Sequence, residues 1–233
     1  MIDINLVFSI LTLGFGLGLL HALDADHIMA ISSLASGQNN GQDSQNKNTW
    51  SIGRMVGFCI RWAIGHAVVL LSLAGLFIFA KFELPAVVPL LAEKLIGVLL
   101  ISLGCWILWS LWRHKITLET HSHGHITHTH LAQPGQQHKN HQPVLVGIVH
   151  GLAGSAPVLA IIPALETNNA WLGLAYVSLF SLGVLTTMLV FGCFLGKLQR
   201  WISNWGQRIF QISHISIAFT SIAFGSFWLF AAS

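Results

Sequence analysis

Leu19-Leu20-His21-Ala22-Leu23-Asp24-Ala25-Asp26-His27-Ile28 sets two imidazoles and two carboxylates inside a run otherwise made of Leu, Ile, Phe, Gly and Ala. Ionisable groups in hydrocarbon cost several kcal/mol each unless they are paired, hydrated or bound to an ion, so a cluster of this kind marks a functional site. An internal salt bridge would be the plain explanation, but no Lys or Arg stands near on the same stretch. Imidazole with carboxylate is the ligand set of a borderline divalent ion such as Ni, Co or Zn, whereas Ca and Mg take oxygen alone.

The rest of the chain is as apolar as this run. Of 233 residues 54% are hydrophobic, only 8% are charged and nine are Trp, and the mean hydropathy is +0.68. A soluble domain carries about 25% charged residues. The fold class expected is therefore all-α integral membrane. Stretches of bilayer-spanning length run over residues 5–34, 55–80, 88–112, 143–163, 171–195 and 209–232, which predicts six transmembrane helices. They divide the chain into residues 1–112 (helices 1–3, carrying the polar motif), 113–142 (a His-rich loop) and 143–233 (helices 4–6). The first stretch has no basic leader and no small-residue cleavage pattern, so it reads as a working helix, not a removed signal.

Basic residues give the orientation. Lys47, Arg54, Arg61, Arg113, Lys115, Lys139, Lys197, Arg200 and Arg208 fall on one side, against Lys81 and Lys94 on the other. By the positive-inside bias, both termini are expected outside the cytoplasm and the His-rich loop inside it, in a multi-pass plasma or inner membrane protein. Trp106, Trp109, Trp112, Trp201 and Trp205 suit an aromatic belt at the cytoplasmic interface. Cys59, Cys105 and Cys193 sit singly, without C-x-x-C spacing, and read as small buried apolar residues.

The two halves resemble one another weakly and in order. Leu20-His21-Ala22-Leu23 falls on Val149-His150-Gly151-Leu152, Ile64-Gly65 on Leu182-Gly183, and Leu103-Gly104-Cys105-Trp106 on Phe224-Gly225-Ser226-Phe227. Three crossings per half is an odd number, so the second copy would lie inverted, an arrangement that builds a site at the midplane between the halves. Gly14 with Gly18, Gly53 with Gly57, Gly147 with Gly151 and Gly192 with Gly196 are G-x-x-x-G pairs that predict close helix approach. The Gly14, Gly16, Gly18 run and Pro157 make both motif helices easy to break.

On an unbroken helix His21, Asp24 and His27 share one face, while Asp26 points away and joins the same ion only if the helix unwinds, or else hydrogen-bonds a ligating imidazole. His66 and His150 lie at comparable depth in their own stretches. The metal-ligating set expected is thus His21, Asp24, Asp26, His27, His66 and His150. A second group, His121, His123, His125, His128, His130, His138 and His141, places seven histidines within 21 residues. With Pro134, Gly135 and Gln-rich flanks, it reads as a flexible tract that buffers several metal ions weakly. Glu119 and the Gln- and Asn-rich loop at 37–49 read as merely solvated.

His21-x4-Asp26-His27 within H-A-L-D-A-D-H-I resembles the signature of the nickel/cobalt transporter (NiCoT) family, and Gly65-His66-Ala67-Val68-Val69 resembles that family's next motif. The likeness covers mainly residues 14–75. Acidic motifs of the L-G-F-D-T-A-T-E type, found in later helices of longer members, are missing. The stretch Val149-His150-Gly-Leu-Ala-Gly-Ser155-Ala-Pro157 is instead similar to shorter six-helix relatives in the wider nickel/cobalt permease superfamily, which include urease-linked permeases.

The resemblance implies a secondary permease for Ni²⁺ and Co²⁺, with uptake and export both open. Its partners would be the transported ion, the lipid bilayer and cytoplasmic nickel chaperones, with no nucleic acid and no resident cofactor. No Walker A sequence is present, so a chain-encoded ATPase is not expected. Two other classes compete with this reading. An integral-membrane metalloenzyme would need tighter His boxes than these helices hold, and a metal sensor or accessory subunit would bind the ion without moving it. An enzyme is not expected.

Overall fold

The computed structural model describes residues 4–37, 52–80, 87–112, 117–123, 126–132, 142–152, 156–167 and 169–231. In chain order these form α1 (Ile4–His21), α2 (Ala25–Gly37), α3 (Ile52–Phe79), α4 (Val87–Trp112), β1 (Thr117–His123), β2 (Ile126–Ala132), α5 (Gln142–Leu152), α6 (Ala156–Glu166), α7 (Ala170–Ser203) and α8 (Gln207–Ala231). Five helical segments, Ile4–His21, Met55–Phe79, Glu93–Trp112, Ala170–Gln199 and Arg208–Ala231, are long and apolar enough to cross a bilayer. The protein is an all-α, multi-pass membrane protein, with one short hairpin between α4 and α5.

The six continuous helices expected from the sequence are not what forms. The stretch 5–34 is two helices, because α1 ends at His21 and α2 starts at Ala25. Over the stretch 143–163 the described residues form α5 and α6, each of 11 residues, on either side of residues 153–155, which lie outside the described residues. At 1.5 Å per residue, 11 residues cover roughly 16 Å, about half of a hydrocarbon core. Among the described residues, five helices are long enough to cross a bilayer by themselves.

Local chemistry explains several boundaries. Asn169 caps α7, its side-chain oxygen accepting from the N–H groups of Trp171 and Leu172 at 3.0 and 3.2 Å, which satisfies donors a helix start leaves unpaired. Gly206, at φ +96°, takes the left-handed turn that lets α8 follow α7 directly. The bundle is apolar outside as well as in. Ile4, Phe8, Val190, Phe219 and Phe230 are exposed, as helix faces toward lipid must be. Of the Trp residues expected at an interface, Trp109, Trp112, Trp201 and Trp205 are exposed near helix ends and Trp106 is half-buried, and Trp201 and Trp205 pack edge to face at 5.1 Å. Of the cysteines expected to be buried, Cys59 is, Cys193 is half-buried and Cys105 is exposed, because it lies on an outer face of α4.

Glycines set how close the helices come. A Cβ on Gly18 would run into the carbonyl of Phe180, and one on Gly183 into the carbonyl of Phe15, so α1 and α7 touch backbone to backbone and run parallel. In the same way Gly147 meets the carbonyl of Trp62 and Gly65 that of Val144, joining α5 and α3 in parallel. Helices α4 and α8 are antiparallel: a Cβ on Gly104 would lie 2.7 Å from the Ala218 oxygen and 2.7 Å from Ile222 Cγ1, and one on Gly225 would lie 2.6 Å from the Gly97 oxygen and 2.8 Å from Ile101 Cγ1. Of the expected G-x-x-x-G pairs, Gly14–Gly18 and Gly147–Gly151 contact a neighbouring helix at both residues. Gly57 meets only Arg61 of its own helix, and Gly196 meets nothing within 4 Å among the described residues. Side-chain hydrogen bonds also tie helices together, among them Thr187 Oγ1 to the Leu19 carbonyl at 3.1 Å and Ser221 Oγ to the Leu100 carbonyl at 2.8 Å.

The tract read as flexible contains a β-hairpin. Strands β1 and β2 pair antiparallel from Thr117↔Ala132 to His123↔Ile126. Thr, Ile and His alternate here with period two, which suits a strand, and two residues join the strands, the connection length that hairpins favour. Within the His-rich segment, His125, His138 and His141 lie outside the described residues, as do most of the 37–49 loop and the basic residues Lys47, Lys81, Arg113, Lys115 and Lys139.

Candidate metal centre

The break in the first stretch assembles the site. After α1 the chain makes two tight bonds, Leu23 N–H to the Leu20 carbonyl at 2.9 Å and Asp24 N–H to the His21 carbonyl at 3.0 Å. Then the Asp24 carbonyl accepts from Ile28 N–H at 3.2 Å, the first bond of α2. Asp24 thus stands where a helix N-cap stands, a position Asp favours, and Asp26 lies in the first turn, where a negative charge meets the positive end of the helix dipole. The turn folds His27 back on His21, ring centroids 4.6 Å apart. On a continuous helix these residues would stand about 9 Å apart along the axis, so the shared face expected for His21, Asp24 and His27 is replaced by a corner.

His66, midway along α3, faces that corner. Its ring lies 5.8 Å from His21 and 5.7 Å from His27. His21, His27 and His66 each offer a ligand atom within 4.8 Å of the others. Two nitrogens bound to one first-row ion at about 2.1 Å stand at most about 4 Å apart, so small ring rotations close this triad on an ion. His150, near the end of α5, approaches from the second half of the chain, 5.2 Å from His27. All four rings are buried.

The carboxylates serve the imidazoles. His21 Nδ1 lies 2.9 Å from Asp24 Oδ2, and His27 Nδ1 lies 3.1 Å from Asp26 Oδ1. His150 Nδ1 donates to the Val146 carbonyl at 2.9 Å. When one nitrogen of a neutral imidazole donates, the other carries the lone pair that a metal needs. The Nε2 atoms of His27 and His150 and both nitrogens of His66 are buried and make no hydrogen bond among the described residues. Asp26 is buried beside them, whereas the Asp24 side chain is 46% exposed and forms the open edge of the cluster. All six residues named from the sequence therefore lie at one place, with imidazoles innermost and carboxylates behind two of them.

Two aromatic rings complete the walls and carried no signal in the sequence. Trp62, fully buried, stacks on His66 at 5.2 Å and 12°, and meets His27 and His150 edge-on at 5.2 and 5.8 Å. Phe180 of α7 stacks on His21 at 5.5 Å. A Trp or Phe in an apolar helix looks like any packing residue, and only tertiary structure picks these out. His214 of α8 is also buried, but its Nδ1 donates to the Phe210 carbonyl at 3.0 Å and its ring packs on Phe210 at 4.1 Å, outside the cluster.

Two comparisons with known proteins place the chain among relatives. The urease accessory protein UreH of Bacillus sp. (strain TB-90) is 32% identical over 194 residues, covering 82% of this chain and 77% of that protein. No solved structure matches the chain significantly. The model of the cytochrome C biogenesis protein transmembrane region matches residues 6–222, which takes in the whole histidine cluster and all the membrane helices except the first residues of α1 and the last of α8, and the protein accordingly belongs to that family of membrane proteins.

Proposed function

We propose that this chain is a secondary permease that moves Ni²⁺, and also Co²⁺, through the buried histidine cluster. The observation that carries the reading is the cluster itself: four imidazoles inside an apolar bundle, two of them backed by carboxylates. Apolar packing has no use for such a group, and a soft-to-borderline divalent cation does. His21, His27 and His66 form the core of the ion site, His150 closes it from the other half, and Asp24 and Asp26 hold the imidazoles in register while offsetting the ion's charge. The likeness to a urease accessory protein agrees with the resemblance to urease-linked permeases. The ion is cargo; the chain is not an enzyme and holds no cofactor.

The architecture proposed is six crossings in two inverted halves, with α1–α2 and α5–α6 as the broken crossings. Support comes from matching contacts. His21 corresponds to His150 and Gly65 to Gly183, and on that offset the pair Gly18–Phe180 corresponds to Gly147–Trp62, and Gly183–Phe15 to Gly65–Val144. The stacking of Phe180 on His21 likewise corresponds to the contact of Trp62 with His150. Broken helices near the midplane are how such transporters expose backbone and side chains to an ion. Protonation of an imidazole removes its lone pair, which gives a route to ion release on one side. Both termini are placed outside the cytoplasm and the hairpin inside it, where nickel chaperones would collect the ion.

The test is movement of radioactive Ni²⁺ into vesicles that contain only the purified chain. Accumulation that depends on His66 is the expected result. Binding without movement would make the chain a sensor or accessory subunit, and chemical turnover of an added substrate would make it a metalloenzyme; either outcome overturns the reading.

A further inference from the structure

The hairpin register sorts the histidines of the cytoplasmic loop by face. In a strand, residues alternate between faces, and in an antiparallel pair directly opposed residues share one. The rungs Thr117↔Ala132, Glu119↔His130, His121↔His128 and His123↔Ile126 therefore belong to one face. The other face has Leu118↔Leu131, Thr120↔Thr129 and Ser122↔Thr127. Every histidine of the two strands, and the single carboxylate among them, falls on the first face, and hydroxyl and leucine pairs fill the second. Cross-strand pairs of this second kind stabilise a hairpin. A tract selected only to hold many imidazoles has no need of such sorting.

We propose that the rungs Glu119–His130 and His121–His128 form a discrete site for one divalent transition-metal ion, with His123 on the next rung. Directly opposed residues stand with Cβ atoms about 5 Å apart and successive same-face residues about 7 Å apart, so the register puts three histidines and a glutamate on two adjacent rungs of one face, at spacings that one ion can bridge. The mixed nitrogen and oxygen set suits Ni, Co or Zn and not Ca or Mg. Two-stranded hairpins are marginal in water by themselves. An ion held across both strands links binding to hairpin formation, as in small metal-folded domains. This differs from a diffuse buffer in two measurable respects: the ion count is one, and the affinity depends on which face the histidines occupy. The site stands on the register alone and is independent of the intramembrane cluster.

A register swap tests it. The double variant His121→Thr with Thr120→His keeps the number of histidines and the strand propensity but moves one imidazole to the other face. The probe is Co²⁺, titrated into the detergent-solubilised full chain and read by its visible absorption and by equilibrium dialysis. Carrying His66→Ala in both parent and swap removes the membrane site. The expected result is one tightly bound ion in the parent and a loss of about tenfold or more in affinity in the swap, in the range that mispositioned ligand shells produce. In the chain with His66 intact, the swap weakens one of the two bound ions by the same factor and spares the one that depends on His66, so the outcome does not hang on how well the His66→Ala chain folds. Amide hydrogens of residues 117–132 are expected to exchange more slowly with Co²⁺ present. Several equivalent weak ions, an affinity untouched by the swap, or exchange unaffected by Co²⁺ would each overturn the proposal.

Discussion

A neutral imidazole has one lone pair to offer, and what its first nitrogen touches decides which nitrogen offers it. Here Asp24, Asp26 and the Val146 carbonyl take up the Nδ1 positions of His21, His27 and His150. These partners set a graded expectation for substitution. His27→Ala and His66→Ala, which delete ligand nitrogens, are expected to abolish Ni²⁺ binding and transport while the protein still inserts. Asp26→Ala, which deletes only the support, is expected to weaken binding by about 10- to 100-fold, and Asp26→Asn by less, since an amide oxygen still accepts from Nδ1. Isothermal titration with Ni²⁺ reads the series, and an Asp26→Ala chain as inert as His27→Ala would make that carboxylate a ligand in its own right. The six polar residues were legible in the sequence because charge in hydrocarbon needs a reason. Trp62 and Phe180 were not, because their chemistry matches every other packing residue. Trp62→Ala is expected to cost about 3–5 kcal/mol, as core aromatic truncations do, and to loosen His66; Trp62→Phe keeps the stacked face and most of the stability, as thermal unfolding in detergent would show.

The helical character of the membrane elements is legible in the sequence, whereas the break at residues 22–24 is not. Length was one missed signal, since the 5–34 stretch is longer than a crossing needs, and Asp24 and Asp26 were another, since a pair of acids ahead of an apolar run is how a helix begins. Ionisable residues ahead of an apolar run carry a capping signal as well as a metal-ligand one, and the two coincide at Asp24 and Asp26. In the loop, the Pro, Gly and Gln flanks hid the period-two alternation of residues 117–132. Glycine contacts give this scale its test. Gly18→Leu and Gly147→Leu each drive a side chain into a neighbouring backbone carbonyl, and overpacking of this kind costs about 1–3 kcal/mol or more; both are expected to lower the unfolding temperature and to displace His21 or His150 from the cluster. Gly16→Leu and Gly196→Leu, with nothing within 4 Å of the Cβ among the described residues, are expected to change neither temperature nor Ni²⁺ affinity. Equal effects at all four positions would mean that helix propensity, not backbone approach, explains the glycines.

At the scale of the whole molecule, the close packing lies between the halves more than within them. Helix α1 packs on α7, α3 on α5 and α7, and α4 on α8, so each of the three long helices of the first half has its main partner in the second. The cluster repeats the pattern, with His21, His27 and His66 from residues 1–112 and His150 and Phe180 from residues 143–233. A half expressed alone would leave the glycine faces of α1 and α3 against lipid, where small residues pack poorly, and would bury polar groups with nothing opposite. Division of the chain within residues 133–141 therefore gives a sharp expectation. Each half by itself is unstable and degraded, while the two co-expressed reassemble, co-purify in detergent and recover Ni²⁺ binding that His66→Ala removes. The weak likeness between the halves hinted at this arrangement, but likeness in Gly-rich sequence does not say which helices touch. Halves that fold and bind Ni²⁺ independently would show that the interlocked packing is incidental to the site, and would assign the ion to α1, α2 and α3 alone.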